Sequence, residues 1–158
     1  MIIGLISDSH GNIEYVKTIG RYFKDKAGVN LIVHLGDECD DADAINGLGI
    51  DIIKIPDVCS NYYHDPEIPN IIIKDIEGAK VLMTHSPQIP PECLSKDSKA
   101  VFYGHTHIAR IEDKKGTLWV NPGHLREIDK RGNSASFAVV DINGGKLDAR
   151  IIRYSDIT

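Results

Sequence analysis

The sequence predicts an α/β protein in which two β-sheets pack face to face with helices outside. Two observations predict this. Over the first third, short β-branched apolar runs alternate with a helical pattern, a β-α-β-α-β order that calls for parallel strands and right-handed crossovers. After residue 70, three hairpin signals follow in close succession, more strand than a simple doubly wound fold holds. With 158 residues, 42% hydrophobic and 26% charged, the chain has the size and balance of one globular domain, expected to span 1–158.

Ile2 to Ile6 is a continuous apolar run, too short for a helix, and reads as a buried strand. Asn12 is placed to cap a following helix with Ile13, Val16, Ile19 and Phe23 on one face, closed by Gly28. Leu31 to Leu35 is a second buried run. Asp40, Asp41 and Asp43 fall where a short second helix would begin, and three acids there favour a helix N-terminus. Ile50 to Ile55 is a third strand, stopped by Pro56. A polar loop occupies 57–69.

Ile71 to Lys74 and Val81 to Thr84 flank Glu77-Gly78 as a hairpin. Val101 to Tyr103 is short and apolar. Ile108 to Glu112 and Leu118 to Val120 form a second hairpin around Lys115-Gly116. Phe137 to Ile142 and Lys146 to Arg153 form a third, joined by Asn143-Gly144-Gly145.

Charge and composition narrow the function. A formal net charge of −5 argues against non-specific nucleic-acid binding, which needs a basic footprint. Cys39, Cys59 and Cys93 form no CxxC pair, so reduced thiols are expected. No apolar run approaches a membrane span, and MIIGLISDSH lacks the basic flank of a signal peptide. The expectation is a cytoplasmic protein.

Four apolar strands run into residues able to hold a metal ion. Strand one ends in Ser7-Asp8-Ser9-His10, strand two in Gly36-Asp37, the first hairpin in Thr84-His85, and Val101 to Tyr103 in Gly104-His105-Thr106-His107. Ligands of α/β sheets gather outside the carboxyl ends of strands, so these ends can meet at one spot. Alternate residues, as in Asp8-x-His10 and His105-x-His107, point the same way from an extended segment. Imidazole and carboxylate together suit Mn, Ni, Zn, Fe or Co.

In this order the motifs Asp8-Ser9-His10, Gly36-Asp37, His85 and Gly104-His105-Thr106-His107 resemble the calcineurin-like metallophosphoesterases. The ISDSHGN opening, VHLGD and Asn121-Pro122-Gly123 are most similar to their small prokaryotic phosphodiesterase branch. The resemblance covers residues 2–124. It implies a four-layer sandwich of two sheets flanked by helices, and a divalent transition-metal pair. By motif, Asp8, His10 and His107 would hold one ion, His85 and His105 the other, and Asp37 would bridge them. Asp37 and His85 would thereby also be catalytic. The implied activity is hydrolysis of a small phosphoester, a diester by preference, through a metal-activated hydroxide.

One departure stands out. After the third strand the family carries a Gly-Asn motif whose Asn binds the second ion, and here the aligned residues are Asp57 and Val58. Valine cannot coordinate. The second site is expected to have one protein ligand fewer, unless Asp57, Cys59, Asn61 or His64 moves in. No clear leaving-group acid is present either, which favours esters with good leaving groups. The rival reading is a non-catalytic scaffold like the retromer subunit of the same fold. Retention of six ligand-type residues weighs against it. His34, inside an apolar run, reads as a packed histidine donating to the backbone. His124 reads equally as a substrate contact or a turn cap, and Arg126 as an exposed cation beside it. Either a monomer or a homodimer is compatible with the pattern.

Overall fold

The computed structural model describes residues 1–57, 60 and 62–158. Strand β1 (Ile2–Ile6) lies beside β2 (Leu31–His34), and β2 beside β3 (Asp51–Lys54), all parallel. The first hairpin supplies β4 (Ile71–Ile76) and β5 (Ala79–Thr84), β6 is Ser98–Phe102, and the second hairpin supplies β7 (Arg110–Lys114) and β8 (Thr117–Asn121). The last hairpin, β9 (Ser136–Asn143) and β10 (Lys146–Arg153), returns to the first sheet. Two five-stranded sheets result, ordered β10-β9-β1-β2-β3 and β4-β5-β6-β8-β7. In the first sheet the parallel strands β1, β2 and β3 run to one edge, with antiparallel β9 and β10 on the other side. In the second, parallel β5, β6 and β8 form the centre, with antiparallel β4 and β7 at the edges. Glu77 and Lys115 take φ of +50° and +57° as first residues of tight hairpin turns, the backbone that two-residue connections demand.

Strand periodicity explains why the central runs are apolar throughout. Ile3, Leu5, Val33, Val81, Met83, Phe102 and Val140 point between the sheets. Ile6, Ile32, Phe137 and Val139 point to the opposite face of the first sheet, where Val16, Ile19 and Phe23 cover them. Both faces are dry, so alternation disappears.

The covering helix α1 (Ile13–Tyr22) continues through a wider turn over Phe23–Ala27 and closes at Gly28, as expected. Asn12 does not cap it. Its Nδ2 instead donates to the Leu125 carbonyl at 2.8 Å, tying the helix entry to a distant loop. The second helical segment, Cys39–Leu48, is 3-10, and its acids serve tertiary contacts. Asp41 accepts from Ser9 Oγ at 2.7 Å and from the Gly11 N–H at 2.8 Å, while Asp40 and Asp43 share the Lys54 ammonium.

On the outer face of the second sheet, Leu82, Val101 and Tyr103 pack under Ile89, Cys93 and Leu94 from the turn-rich stretch 86–97. Among the described residues, no helix is long and apolar enough to cross a membrane.

Candidate metal centre

The C-terminal ends of β1, β2, β5 and β6 meet at one edge of the sandwich, joined by hydrogen bonds within each sheet and between the two sheets. The Asp8 N–H donates to the Gly36 carbonyl at 2.9 Å, and the Gly104 N–H to the His85 carbonyl at 2.9 Å. Across the two sheets, the His105 N–H donates to Asp8 Oδ2 at 3.0 Å. The four strand ends read from sequence therefore do converge.

Asp8, His10, Asp37 and His107 each bring one ligand-capable atom into a group whose members lie within 4.8 Å of one another. His10 Nε2 is 3.2 Å from His107 Nε2, and His10 Nδ1 is 3.2 Å from Asp37 Oδ2. His107 Nε2 also stands 3.2 Å from Asp8 Oδ1, but without hydrogen-bond alignment, so Asp8 Oδ1 is buried and has no donor. A buried carboxylate oxygen without a partner is costly. Facing two imidazole nitrogens, it forms an electron-rich cluster that a divalent transition metal fits.

His85 and His105 form a separate pair, with His85 Nε2 at 3.2 Å from His105 Nδ1. His85 Nδ1 lies 2.7 Å from the Leu35 carbonyl. Only an N–H makes that contact favourable, so Nδ1 carries the proton and the Nε2 lone pair faces His105. This is the usual means of orienting a ligating imidazole.

Burial pushes the Asp8 carboxyl up, but contacts from His107 and Ser7 and the nearby His85 outweigh it and hold the group below its ordinary value. The Asp8 contact pushes His107 up against its partial burial. His10 goes the other way, lowered by burial, with Arg126 and His107 adding to the effect against Asp37.

Local backbone shape is unusual here. Asp8, His10, Asp37, His105 and His107 all have φ between +51° and +66°. That left-handed region is sparsely used by residues with a Cβ, and such residues cluster at functional sites. Two glycines make room. A Cβ on Gly36 would stand 2.5 Å from His85 Nδ1, and one on Gly104 would overlap Ser7 Oγ.

Several residues that the sequence did not place among the ligands support the site. Asn121, fully buried at the end of β8, donates through Nδ2 to the Gly104 carbonyl at 2.8 Å and to Thr106 Oγ1 at 3.0 Å. It fixes the loop bearing His105 and His107. Ser7 donates to Asp8 Oδ2. Ser9 contacts His34 Nε2 at 2.9 Å while donating to Asp41. His34 is fully buried, and its Nδ1 accepts from the Gly36 N–H at 3.3 Å. It thus accepts from the backbone and does not donate to it, because Nε2 is engaged by Ser9. The flanking serines of Ser7-Asp8-Ser9 were the available clue.

Of the residues weighed for the missing second-site ligand, Cys59 and Asn61 lie outside the described residues, as does Val58 itself. Asp57 and His64 are described, and neither joins the four-residue group. Asp57 is buried, while His64 is exposed and packs edge-on against Tyr63. His124 is wholly buried, accepts from the Arg126 N–H through Nδ1 at 3.0 Å, and tilts against the His107 ring. It caps a turn behind the site.

Comparison with known proteins agrees with this geometry. Residues 1–145 match the family model for the calcineurin-like phosphoesterase superfamily domain. The chain is 26% identical to the "Probable metallophosphoesterase YsnB" of Bacillus subtilis (strain 168), over 99% of this chain and 91% of that one. A structurally characterised archaeal phosphodiesterase superimposes with a TM-score of 0.74 at 21% identity, covering 96% of this chain and all of its own. Vps29 from Entamoeba histolytica, solved with Zn2+, gives a TM-score of 0.65 at 15% identity, with 98% and 99% covered. At those identities the two structures speak for the fold alone. Because the family model takes in nearly the whole chain and the motif residues converge at the strand ends, this protein belongs to the calcineurin-like phosphoesterase superfamily.

Proposed function

We propose that the chain is a hydrolase of small phosphoesters, phosphodiesters with good leaving groups above all, working with two divalent transition-metal ions at the joined strand ends. The observation that carries this is the buried, donorless Asp8 Oδ1 facing His10 and His107. In this reading Asp8, His10, Asp37 and His107 hold one ion, His85 and His105 hold the other, and Asp37 is shared. When bound, such a pair screens phosphate charge, lowers the pKa of water and aligns the attacking and leaving oxygens.

The chain's own residues then divide the remaining work. Asp37, whose side chain is 26% exposed, stands between the buried cluster and the substrate side. The Leu35 carbonyl keeps the proton of His85 on Nδ1. Asn121 keeps the 104–107 loop in register. Arg126, exposed and close enough to His10 and His107 to lower their proton affinity, attracts the anionic ester. His64, the residue weighed as a leaving-group acid, does not join the four-residue cluster, in keeping with a preference for good leaving groups. A cytoplasmic site of action and manganese as the first ion to try complete the proposal.

Chelator-stripped protein is assayed on bis(p-nitrophenyl) phosphate with Mn, Ni, Co, Fe, Zn and Mg restored singly. Turnover that needs a metal and vanishes in Asp37→Asn is the expected result. Folded protein that binds metal yet turns nothing over with any ion would overturn the hydrolase reading and favour a scaffold.

A further inference from the structure

Beside the four-residue cluster lies a cavity of about 300 Å³, and its two walls differ in origin. One wall is the loop of His105, Thr106 and His107. The other is the segment that follows β8, which contributes Arg126, Lys130 and Arg131. No ion pair engages any of these three cations among the described residues. This is a cationic pocket in a chain whose net charge is −5.

Asp129 also lines it, but its carboxylate is turned into its own loop. It accepts from the N–H groups of Arg131 and Asn133, each at 2.8 Å, and from Asn133 Nδ2 at 2.9 Å. The Asn133 hydrogen bond leads the causes that bring its carboxyl down to about 2. A bridge between Ile128 and Ser134 closes the same loop. Arg131 reaches over to the opposite wall, Nη1 donating to the Thr106 carbonyl at 3.3 Å. The cations therefore sit on a loop that is braced before anything binds, which lowers the entropy lost on binding.

We infer that this pocket receives a second phosphate of the substrate, one sugar's width from the scissile ester, so that the preferred substrates are bisphosphorylated. The inference rests on the hydrolase reading above. The scissile phosphate lies at the metal centre beside Arg126, leaving Lys130 and Arg131 without an anion to meet. The shared residues His105 and His107 put the two positions next to each other. Apart from the imidazoles the lining has no aromatic side chain, so it suits a phosphorylated sugar and not a stacked base.

The test compares thymidine 5′-(p-nitrophenyl phosphate) with its 3′-phosphorylated form on the metal-loaded full chain. Charge-assisted hydrogen bonds predict kcat/KM higher for the 3′-phosphorylated ester by roughly tenfold or more. Lys130→Ala is expected to shrink that ratio, Lys130→Glu to abolish it, and added salt to weaken it in the wild type. Equal kcat/KM for the two esters, or a ratio untouched by Lys130→Glu, would overturn the inference. Lys130 is exposed, and melting curves check that both variants fold.

A second arm needs no turnover. Calorimetric titration of the metal-free chain with thymidine 3′,5′-bisphosphate and with thymidine 5′-monophosphate reads the pocket directly. Should neither ester be hydrolysed with any ion, the hydrolase reading fails, and this arm alone decides. Tighter bisphosphate binding lost in Lys130→Glu upholds the pocket, and equal binding of the two nucleotides sinks it.

Discussion

Asp8, His10, Asp37 and His107 bring four ligand-capable atoms within 4.8 Å of one another, whereas His85 and His105 meet as a pair at 3.2 Å. The supports differ as much as the numbers. Ser7 donates to Asp8 within the cluster, and beside it Ser9, His34 and Asp41 form a chain of buried and half-buried polar groups joined through Ser9. The pair depends on the Leu35 carbonyl and on the empty space over Gly36. The lesson is that the fold by itself organises the four-residue cluster. The His85–His105 pair has fewer such supports among the described residues.

The strongest way to break this comparison is Asp37→Asn, which keeps the shape of the side chain and removes its charge. If Asp37 serves both halves, turnover of the chromogenic diester falls by about 10³-fold or more, and metal analysis shows both ions depleted. Loss of one ion alone, with activity within tenfold, would assign Asp37 to the cluster only.

Acid should attack the support of the cluster. Burial holds the His34 imidazole down to about 4 from its ordinary 6.5. The unfolded chain binds that proton at the higher pH, so the stability contributed is complete above 6.5. It is lost as the pH falls toward 4, about 3 kcal/mol in all. Urea unfolding from pH 7 to 4 measures the slope, which His34→Gln should flatten.

The two halves should also load unequally. Under limiting metal the first equivalent is expected to bind roughly 10- to 100-fold more tightly than the second. His10→Ala should lose the tight equivalent and His85→Ala the weak one, read by equilibrium dialysis with metal analysis. Two sites of equal affinity would erase the distinction. The smallest effect expected is that of Gly36→Ala. Its Cβ displaces His85 and strains a φ of +101°, lowering turnover about tenfold while the tight equivalent stays bound.

Much of this was legible in the residues. Apolar runs of four or five residues marked the central strands because both of their faces are covered. Glu77-Gly78, Lys115-Gly116 and Asn143-Gly144-Gly145 marked the hairpins because the turn chemistry is local. The six ligand-type residues stood out because each follows such a run. Their grouping was offered only by the family resemblance, and the part played by Asp41 not at all, since local reasoning sends it to a helix N-terminus. Asp41 is held by Ser9 and Gly11, 32 and 30 residues away. Asn12 likewise gives up its cap for Leu125, 113 positions on.

The sequence by itself determined the strands, the turns, the family pattern and the inventory of ligand-type side chains, since all of these follow from neighbours along the chain. Only the tertiary structure decided the distances at which those side chains stand and that the Leu35 carbonyl turns the Nε2 of His85 toward His105. It also decided that Arg126, Lys130 and Arg131 face the loop of His105, Thr106 and His107 across a cavity. Both outcomes depend on the meeting of two sheets, where distance in space no longer follows separation in sequence.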